Sequence, residues 1–222
     1  LNKEANPDFP LTELDGSPLK AGDTVFVSSS TWGGVYALDA TTGAQRWTFD
    51  SQGDVMGSLA ELDGVIYLTS NPLMPYPEAE EGDSALRAID AETGAELWSA
   101  SLGPDVWPFS TTSVADGMGL VNVWNGEAGQ IQVQAFDLAT HELVWAVPVP
   151  NAIRDAGMAV ADGMVFLPAI DATGVYAYDL QTGDLVWEHM TSATASPSPA
   201  VAGGVLYVQT DAPALQAIDT AT

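Results

Sequence analysis

Short apolar runs, each next to a turn that contains glycine, recur five times along the chain. They are AGDTVFVSSS from Ala21, LDGVIYLTS from Leu62, ADGMGLVNVW from Ala115, ADGMVFLPA from Ala161 and AGGVLYVQT from Ala202. An Asp-Gly or Gly-Gly pair before alternating Val, Tyr, Phe and Leu is typical of a β-hairpin. No segment keeps the 3.6-residue apolar period and the capping residues of an amphipathic helix. The pattern therefore predicts an all-β protein with almost no helix.

A second pattern, the phrase A-x-D-x-x-T-G-x-x-x-W, follows each apolar run. The copies are ALDATTGAQRW from Ala37, AIDAETGAELW from Ala88, AFDLATHELVW from Ala135, AYDLQTGDLVW from Ala177 and the shorter AIDTAT from Ala217. Their aspartates are 51, 47, 42 and 40 residues apart, and each phrase tryptophan follows its aspartate by eight positions. One repeat then comprises four short strands: A before the glycine turn, B after it, C ending at the aspartate and D near the tryptophan. Repeated four-stranded antiparallel units predict the blades of a β-propeller.

The residue types of the phrase suit a tight turn between strands C and D. The aspartate and threonine side chains can bind backbone groups of the turn, and the glycine suits a positive φ. The tryptophan is a large flat group that can wedge against the neighbouring blade. In the third copy His141 replaces the glycine, so we expect that turn to relax or change type. The structural repeat residues are Asp39, Gly43, Trp47, Asp90, Gly94, Trp98, Asp137, Trp145, Asp179, Gly183, Trp187 and Asp219.

These phrases resemble the tryptophan-docking repeat of the quinoprotein, or PQQ-like, β-propellers. That family includes quinoprotein alcohol dehydrogenases and non-catalytic scaffold lipoproteins of the outer-membrane assembly machinery. The resemblance extends from about Leu19 to Thr222 and is specific for the fold. It is weakly specific for function, because the repeated residues build blades and not a site.

The chain holds about five repeat units, approximately 10–50, 51–102, 103–149, 150–191 and the incomplete 192–222. Propellers commonly close when N-terminal residues supply a strand to the last blade. Residues 1–10, LNKEANPDFP, contain no G-x-x-x-W that could stand for the missing strand D. We therefore expect residues 1–222 to be one propeller domain or a portion of one, within a seven- or eight-bladed ring.

Length variation is concentrated at one end of the predicted blades. From each phrase tryptophan to the next turn glycine there are 17, 19, 18 and 17 residues, whereas from that glycine to the next phrase aspartate there are 26, 20, 16 and 15. The B–C and D–A connections leave one end of a blade, here called the loop end; the A–B and C–D turns lie at the other, the turn end. Loops on a rigid scaffold commonly bind partners. The candidate partner-binding residues at the loop ends are Trp32, Tyr76, Trp107, Trp124 and Arg154.

Charge and cysteine content narrow the classes of function. Thirty acidic residues against five basic ones give a formal net charge of −25, which repels nucleic acid. The absence of cysteine excludes disulfides, thiolate metal sites and cysteine nucleophiles. No apolar run reaches the roughly 20 residues of a membrane-spanning helix. Because the chain begins with Leu1 and not with methionine, the sequence leaves open a leader peptide or a membrane anchor outside these residues. Acidity and the resemblance favour a periplasmic, cell-surface or secreted location, with a salt-adapted host as one source of the acidity.

Catalytic patterns are weak in this sequence. The resemblance implies that quinoprotein enzymes bind PQQ over a tryptophan and calcium through Glu, Asn and Asp, often beneath a cysteine pair. The cysteine pair is absent, and the calcium ligands do not map onto this chain residue by residue. His141 and His189 are the only histidines, and both lie at or beside the repeat turns, which gives little support for a Ser-His-Asp triad. We predict no catalytic, cofactor-binding or metal-binding residues.

The leading hypothesis from the sequence is a non-catalytic extracytoplasmic scaffold. It would present variable, aromatic and acidic loops to another protein or to subunits of a larger complex. The alternatives are a portion of a PQQ- and calcium-dependent alcohol dehydrogenase, a glycan-binding propeller, and the sensor domain of a membrane-anchored regulator.

Overall fold

The computed structural model describes residues 16–29, 34–51, 53–55, 57–72, 84–109, 111–149, 157–169, 174–191, 198–210 and 214–221. These residues form β-strands joined by turns, and none of them is helical. The strands are β1 Leu19–Ala21, β2 Thr24–Ser29, β3 Gly34–Asp39, β4 Gln45–Asp50, β5 Gly53–Val55, β6 Ala60–Leu62, β7 Val65–Pro72, β8 Ala85–Asp90, β9 Glu96–Ser101, β10 Val106–Pro108, β11 Ser113–Ala115, β12 Met118–Asn125, β13 Gln130–Asp137, β14 Leu143–Pro148, β15 Ala159–Ala161, β16 Met164–Ala169, β17 Gly174–Asp179, β18 Leu185–Met190, β19 Ala200–Ala202, β20 Val205–Thr210 and β21 Ala214–Asp219.

The first compact unit, Leu1–Pro108, contains two antiparallel blades. Blade 1 has the strand order β1-β2-β3-β4, and blade 2 is built on β7, β8 and β9. In blade 2 the first strand is divided: β6 pairs with the start of β7, and β5 pairs with its end, with Gly53 opposite Pro72. This division gives strand β7 two partners along one edge.

The second compact unit, Phe109–Thr222, contains blades 3, 4 and 5. Blade 3 comprises β11 to β14, blade 4 comprises β15 to β18, and blade 5 comprises β19 to β21. Strands β12 and β13 each have eight residues and pair from Met118–Asp137 to Asn125–Gln130, whereas β16, β17, β20 and β21 have six each. The extra residues of the third repeat therefore lengthen a hairpin and do not form a longer loop.

Each phrase places its alanine directly opposite its tryptophan. Ala37 pairs with Trp47, and the same pairing occurs in blades 2, 3 and 4. A register shift follows each of these alanines, where the C–D turn begins. Because the alanine side chain is small, the indole can lie across it without being displaced from the sheet.

Neighbouring blades bury their apolar faces against each other within each unit. In the first unit Phe26, Val35 and Ala37 of blade 1 cluster with Ile66 and Ile89 of blade 2. In the second unit blade 3 packs on blade 4, and blade 4 packs on blade 5. Inner strands such as β3 and β12 are buried on both faces, whereas in the outer strands β4 and β18 exposed and partly buried side chains alternate. The prediction of an all-β propeller with four-stranded antiparallel blades is confirmed.

Candidate functional site

The phrase aspartate organises each C–D turn. Asp39 Oδ1 accepts hydrogen bonds from the backbone N–H of Thr41 (3.1 Å) and Thr42 (2.8 Å) and from the Thr42 hydroxyl (2.8 Å). Its own backbone carbonyl accepts from Gly43 N–H at 2.8 Å. Asp90, Asp137 and Asp179 accept the two corresponding backbone hydrogen bonds. The C–D turns of blades 1 to 4 therefore share the same aspartate-centred backbone hydrogen bonds.

Hydrogen bonds hold the pKa of these aspartates below the ordinary value. For Asp39 the largest cause is the Arg46 guanidinium, followed by the Thr42 N–H and hydroxyl. For Asp90 the Thr93 hydroxyl and N–H lower the pKa, and for Asp137 and Asp179 backbone N–H groups do so. Each of these donors favours the ionised carboxylate.

His141 keeps the backbone conformation of the glycine that it replaces. Its φ is 65°, against 72° to 74° at Gly43, Gly94 and Gly183. Its N–H donates to the Asp137 carbonyl at 2.8 Å, as the glycines do in the other turns. The expectation that this turn would relax or change type is therefore wrong: the hydrogen bonds of Asp137 hold a residue with a Cβ in the left-handed region, at a cost of about 1 kcal/mol.

Phrase tryptophans contact the blade that follows. Trp47 Nε1–H donates to the Ala91 carbonyl at 3.2 Å, and Trp145 Nε1–H donates to the Leu180 carbonyl at 3.0 Å. A Cβ added at Gly94 would lie 2.6 Å from Trp47 Cε3, and one at Gly183 would lie 2.8 Å from Trp145 Cδ2. The two glycines therefore permit the indoles to rest on the backbone of the next blade.

Two of the five candidate partner-binding residues fall within the described part of the chain. Trp107 lies in β10 of the first unit, is partly buried, and donates its indole N–H to Asp105 Oδ1 at 3.1 Å. Trp124 lies near the end of β12 in the second unit, is partly buried, and pairs with Ile131 across the lengthened hairpin. Trp32, Tyr76 and Arg154 lie outside the described residues.

Buried polar side chains at the loop end of the first unit were missed from the sequence. Asn71 is buried, donates its amide to the Pro108 carbonyl at 3.3 Å, and accepts from the Ser84 hydroxyl at 3.1 Å. In blade 1 the Ser28 hydroxyl donates to the Gly57 carbonyl at 3.3 Å. The signal was present in the polar endings of the apolar runs, VSSS and LTSN. These side chains bind backbone carbonyls where the loops leave, and they anchor that end of the unit.

Two arginines form ion pairs near the surface of the described blades. Arg46 bridges Asp23 (2.9 Å) and Asp39 (2.7 Å) at the turn end of blade 1, and Arg87 pairs with Glu96 at 2.8 Å. Within the described ranges, no three His, Cys, Asp or Glu side chains gather where they could hold a metal ion. In the same part of the chain, no helix has the length and apolar character needed to cross a membrane.

Comparison with known proteins places these features in a family. The sequence matches the family described as "Outer membrane protein assembly factor BamB" over residues 6–121 and 129–222. Among curated proteins it is 31% identical over 204 residues to the serine/threonine-protein kinase AfsK of Streptomyces coelicolor. The matched region covers 89% of this chain and 21% of that kinase.

Two solved structures share the fold. BamB from Moraxella catarrhalis superposes with a TM-score of 0.66 at 19% identity, covering 92% of this chain and 57% of that one. A quinohemoprotein alcohol dehydrogenase from Comamonas testosteroni superposes with a TM-score of 0.72 at 17% identity, covering 95% of this chain and 42% of that one. The chain thus spans less than two thirds of the length of these relatives.

Proposed function

Because this chain belongs to the BamB family of PQQ-like β-propellers, we propose that it is a non-catalytic extracytoplasmic scaffold that binds another protein through its loop ends. The observation that supports this proposal is the contrast between the two ends of the blades. Four turn ends repeat the same aspartate-centred hydrogen bonds. The described loop ends are less alike: Ser28 and Asn71 bind backbone carbonyls in the first unit, and blade 3 has a lengthened hairpin.

The lengthened hairpin of blade 3 offers a defined contact surface. Trp124 is partly buried on its B strand, and Glu127 to Gln130 are exposed where the hairpin turns. A partly exposed indole beside exposed polar groups is typical of protein–protein contact surfaces. The family name describes an assembly factor, and we propose the corresponding kind of role for this chain: presenting loops to a subunit of a larger complex.

The acidic chain favours a partner that carries positive charge. The chain has 30 acidic and five basic residues. Long-range attraction then favours a protein with a basic, partly apolar surface and makes its association rate depend on salt. We propose a location outside the cytoplasm, in the periplasm or at the cell surface, on the family relationship.

Alanine substitutions at the loop end test the proposal. Trp124→Ala is expected to weaken binding of the native partner, isolated from the host envelope, by at least about tenfold. Leu143→Ala is the matched control, because Leu143 is exposed in β14 of the same blade but on the outer strand. Unchanged affinity for Trp124→Ala, Trp107→Ala and Tyr76→Ala alike, with the fold intact by circular dichroism, would remove the loop-end hypothesis.

We propose no calcium or PQQ site for this chain. Calcium is held by several oxygen ligands that converge on one point, and the described part of the chain gathers no three carboxylates or imidazoles in this way. We therefore derive no oxidation step from this chain. Its test is direct: PQQ with calcium should give no dye-linked alcohol oxidation, and measurable turnover would reverse this conclusion.

A second candidate role, the sensor segment of a membrane-anchored regulator, is favoured by the 31% identity to the kinase AfsK. In that role the loop ends would bind a signal and not an assembly subunit. The two roles differ in the polypeptide that carries the repeats. A gene that also encodes a kinase domain and a membrane-spanning helix supports the sensor role, and a gene that encodes only further repeats supports the scaffold role.

A further inference from the structure

The lengthened hairpin of blade 3 turns at the one Asn-Gly pair of the sequence, Asn125 and Gly126. Asn125 ends β12 opposite Gln130, and the residues from Gly126 to Gly129 form the turn. Asn125 and Gly126 are partly exposed, and the residues from Glu127 to Gln130 are exposed. Solvent therefore has access to the side-chain amide of the pair.

The side chain of Asn125 is held over this turn. Its Oδ1 accepts the Ala128 N–H at 2.8 Å, which fixes the side-chain carbonyl beside the backbone of the turn. Only Cβ, Cα and the backbone carbonyl carbon separate Cγ of Asn125 from the Gly126 nitrogen, so a bond between these two atoms closes a five-membered ring. Because both groups belong to one chain, this attack avoids the entropy cost of bringing two molecules together.

The Gly126 nitrogen is available for such an attack. Within the described residues, the Gly126 N–H donates no hydrogen bond, so the hairpin does not depend on it. Gly126 also lacks a side chain that would restrict the approach of its nitrogen to Cγ of Asn125.

The Ala128 N–H points at the oxygen on which negative charge develops. When the Gly126 nitrogen bonds to Cγ of Asn125, an electron pair of the side-chain carbonyl moves to Oδ1. The Ala128 N–H already donates to this oxygen. A fixed backbone donor at a developing oxyanion lowers the barrier to attack, as it does in acyl transfer. The turn therefore promotes ring closure.

We propose that Asn125 is a site of spontaneous deamidation in the folded hairpin, promoted by the Ala128 N–H and by the unbonded N–H of Gly126. The Gly126 nitrogen loses its proton to solvent base and bonds to Cγ of Asn125, the Cγ–Nδ2 bond breaks, and the amide leaves as ammonia. Water then opens the five-membered imide at one of its two carbonyls, which leaves aspartate or isoaspartate at position 125. The net reaction converts an amide and water into a carboxylate and ammonium.

The other two asparagines of the described residues lack these features. Asn71 precedes Pro72, whose nitrogen carries no hydrogen and cannot attack. Asn122 precedes Val123, is 1% exposed and pairs with Val133 inside the β12–β13 ladder. These two side chains are internal controls within the same molecule.

Deamidation changes the charge and the backbone at the loop end of blade 3. It adds one negative charge to the net charge of −25, next to Trp124 and near Glu127. The aspartate product keeps an oxygen for the Ala128 N–H, so we expect the hairpin to persist. Isoaspartate adds a carbon atom to the backbone and should weaken the pairing of position 125 with Gln130. The reaction needs no partner, so it can hold or fail independently of the proposed function.

Ageing of the folded protein in mildly alkaline buffer tests the proposal. Peptide mapping by mass spectrometry should show conversion of Asn125 to aspartate and isoaspartate, and no conversion of Asn71 or Asn122. In the matched variant Gly126→Ala, the conversion should slow by about fivefold or more, because the new side chain restricts the attack. Gly126 does not share the positive φ of Gly129, so alanine fits its backbone.

The unfolded peptide WNGEAGQ, which is the sequence from Trp124 to Gln130, separates the effect of the turn from that of the Asn-Gly pair. Because the turn supplies the Ala128 N–H, the folded protein should convert at least as fast as this peptide. Slower conversion in the folded protein than in the peptide would overturn the proposal. So would an unchanged rate in Gly126→Ala, or conversion of Asn122 as fast as that of Asn125.

Discussion

The contact between Trp47 and Gly94 predicts that Gly94→Ala destabilises the first unit far more than Gly43→Ala. Both glycines have a φ above 70°, so each alanine meets the same backbone strain of about 1 kcal/mol. At Gly43 the new methyl group meets no described atom within 4 Å. At Gly94 it would lie 2.6 Å from Trp47 Cε3 and 2.7 Å from Cδ2, so the indole must move.

The additional cost at Gly94 follows from what the displaced indole loses. The hydrogen bond from Trp47 Nε1 to the Ala91 carbonyl contributes about 1 kcal/mol net. Crowding a methyl group against a packed ring costs a further 1 to 3 kcal/mol, roughly. Gly94→Ala should therefore lower the free energy of unfolding by about 3 to 5 kcal/mol, against about 1 kcal/mol for Gly43→Ala.

Urea unfolding followed by far-ultraviolet circular dichroism measures the two costs under the same conditions. Tryptophan emission gives a second readout, because an indole moved from the blade interface into water emits at longer wavelength. Only Gly94→Ala should show this shift in the native state. Equal costs for the two substitutions, or an unchanged emission spectrum in Gly94→Ala, would refute the idea that the glycine serves the indole.

Three further predictions concern pH, backbone strain and salt. The folded-state pKa values of the phrase aspartates Asp39, Asp90, Asp137 and Asp179 lie below the ordinary 3.8, so the ionised carboxylates stabilise the fold above that pH, and this stabilisation is lost as the pH falls below it. The urea midpoint should therefore fall between about pH 4 and pH 2, and a midpoint that does not change there would contradict the turn hydrogen bonds. His141→Gly should stabilise the second unit by about 1 kcal/mol in the same assay, because it removes a left-handed residue with a Cβ; a loss of stability would show that the imidazole contributes more than its backbone costs. Adding sodium chloride should raise the thermal midpoint, because ions screen repulsion among a net charge of −25, and a midpoint independent of salt would contradict this.

The blades could be predicted from the sequence because two independent periodicities agreed. The glycine turn and apolar run located strands A and B, and the phrase located strands C and D. The resulting order matches blade 1 and blade 4. The sequence alone does not explain the alanine of the phrase, and the structure shows that it lies opposite the tryptophan in all four complete copies.

Other features depended on tertiary context that a sequence pattern does not carry. The extra residues of the third repeat suggested loop variation, but they extend β12 and β13 by cross-strand pairing. The division of the first strand of blade 2 into β5 and β6 has no marker in the apolar pattern, since β5 is only three residues long. His141 was expected to alter its turn because propensity disfavours it, yet the hydrogen bonds of Asp137 determine the conformation.

Only part of the candidate site could be predicted from the sequence. Trp124 lies near the end of a strand, as the sequence suggested, whereas Trp107, which was expected in a connection between strands, lies in the short strand β10. The buried Asn71 and Ser84 were not foreseen, because a polar residue at the end of an apolar run is usually exposed. The Asn71 amide binds the Pro108 carbonyl, which is 37 residues away in the chain, and Ser84 in turn binds Asn71.

Photocrosslinking from one blade tests whether a partner binds at the loop ends and not at the turn ends. Glu127 and Glu142 are both exposed in blade 3, and they flank opposite ends of β13, roughly 25 Å apart. Each is replaced in turn by a photoreactive phenylalanine, and the protein is irradiated in the envelope of the cells that express it. A discrete crosslinked partner is expected from position 127 and none from position 142. A crosslink from position 142 alone, or the same partner from both positions, would contradict it.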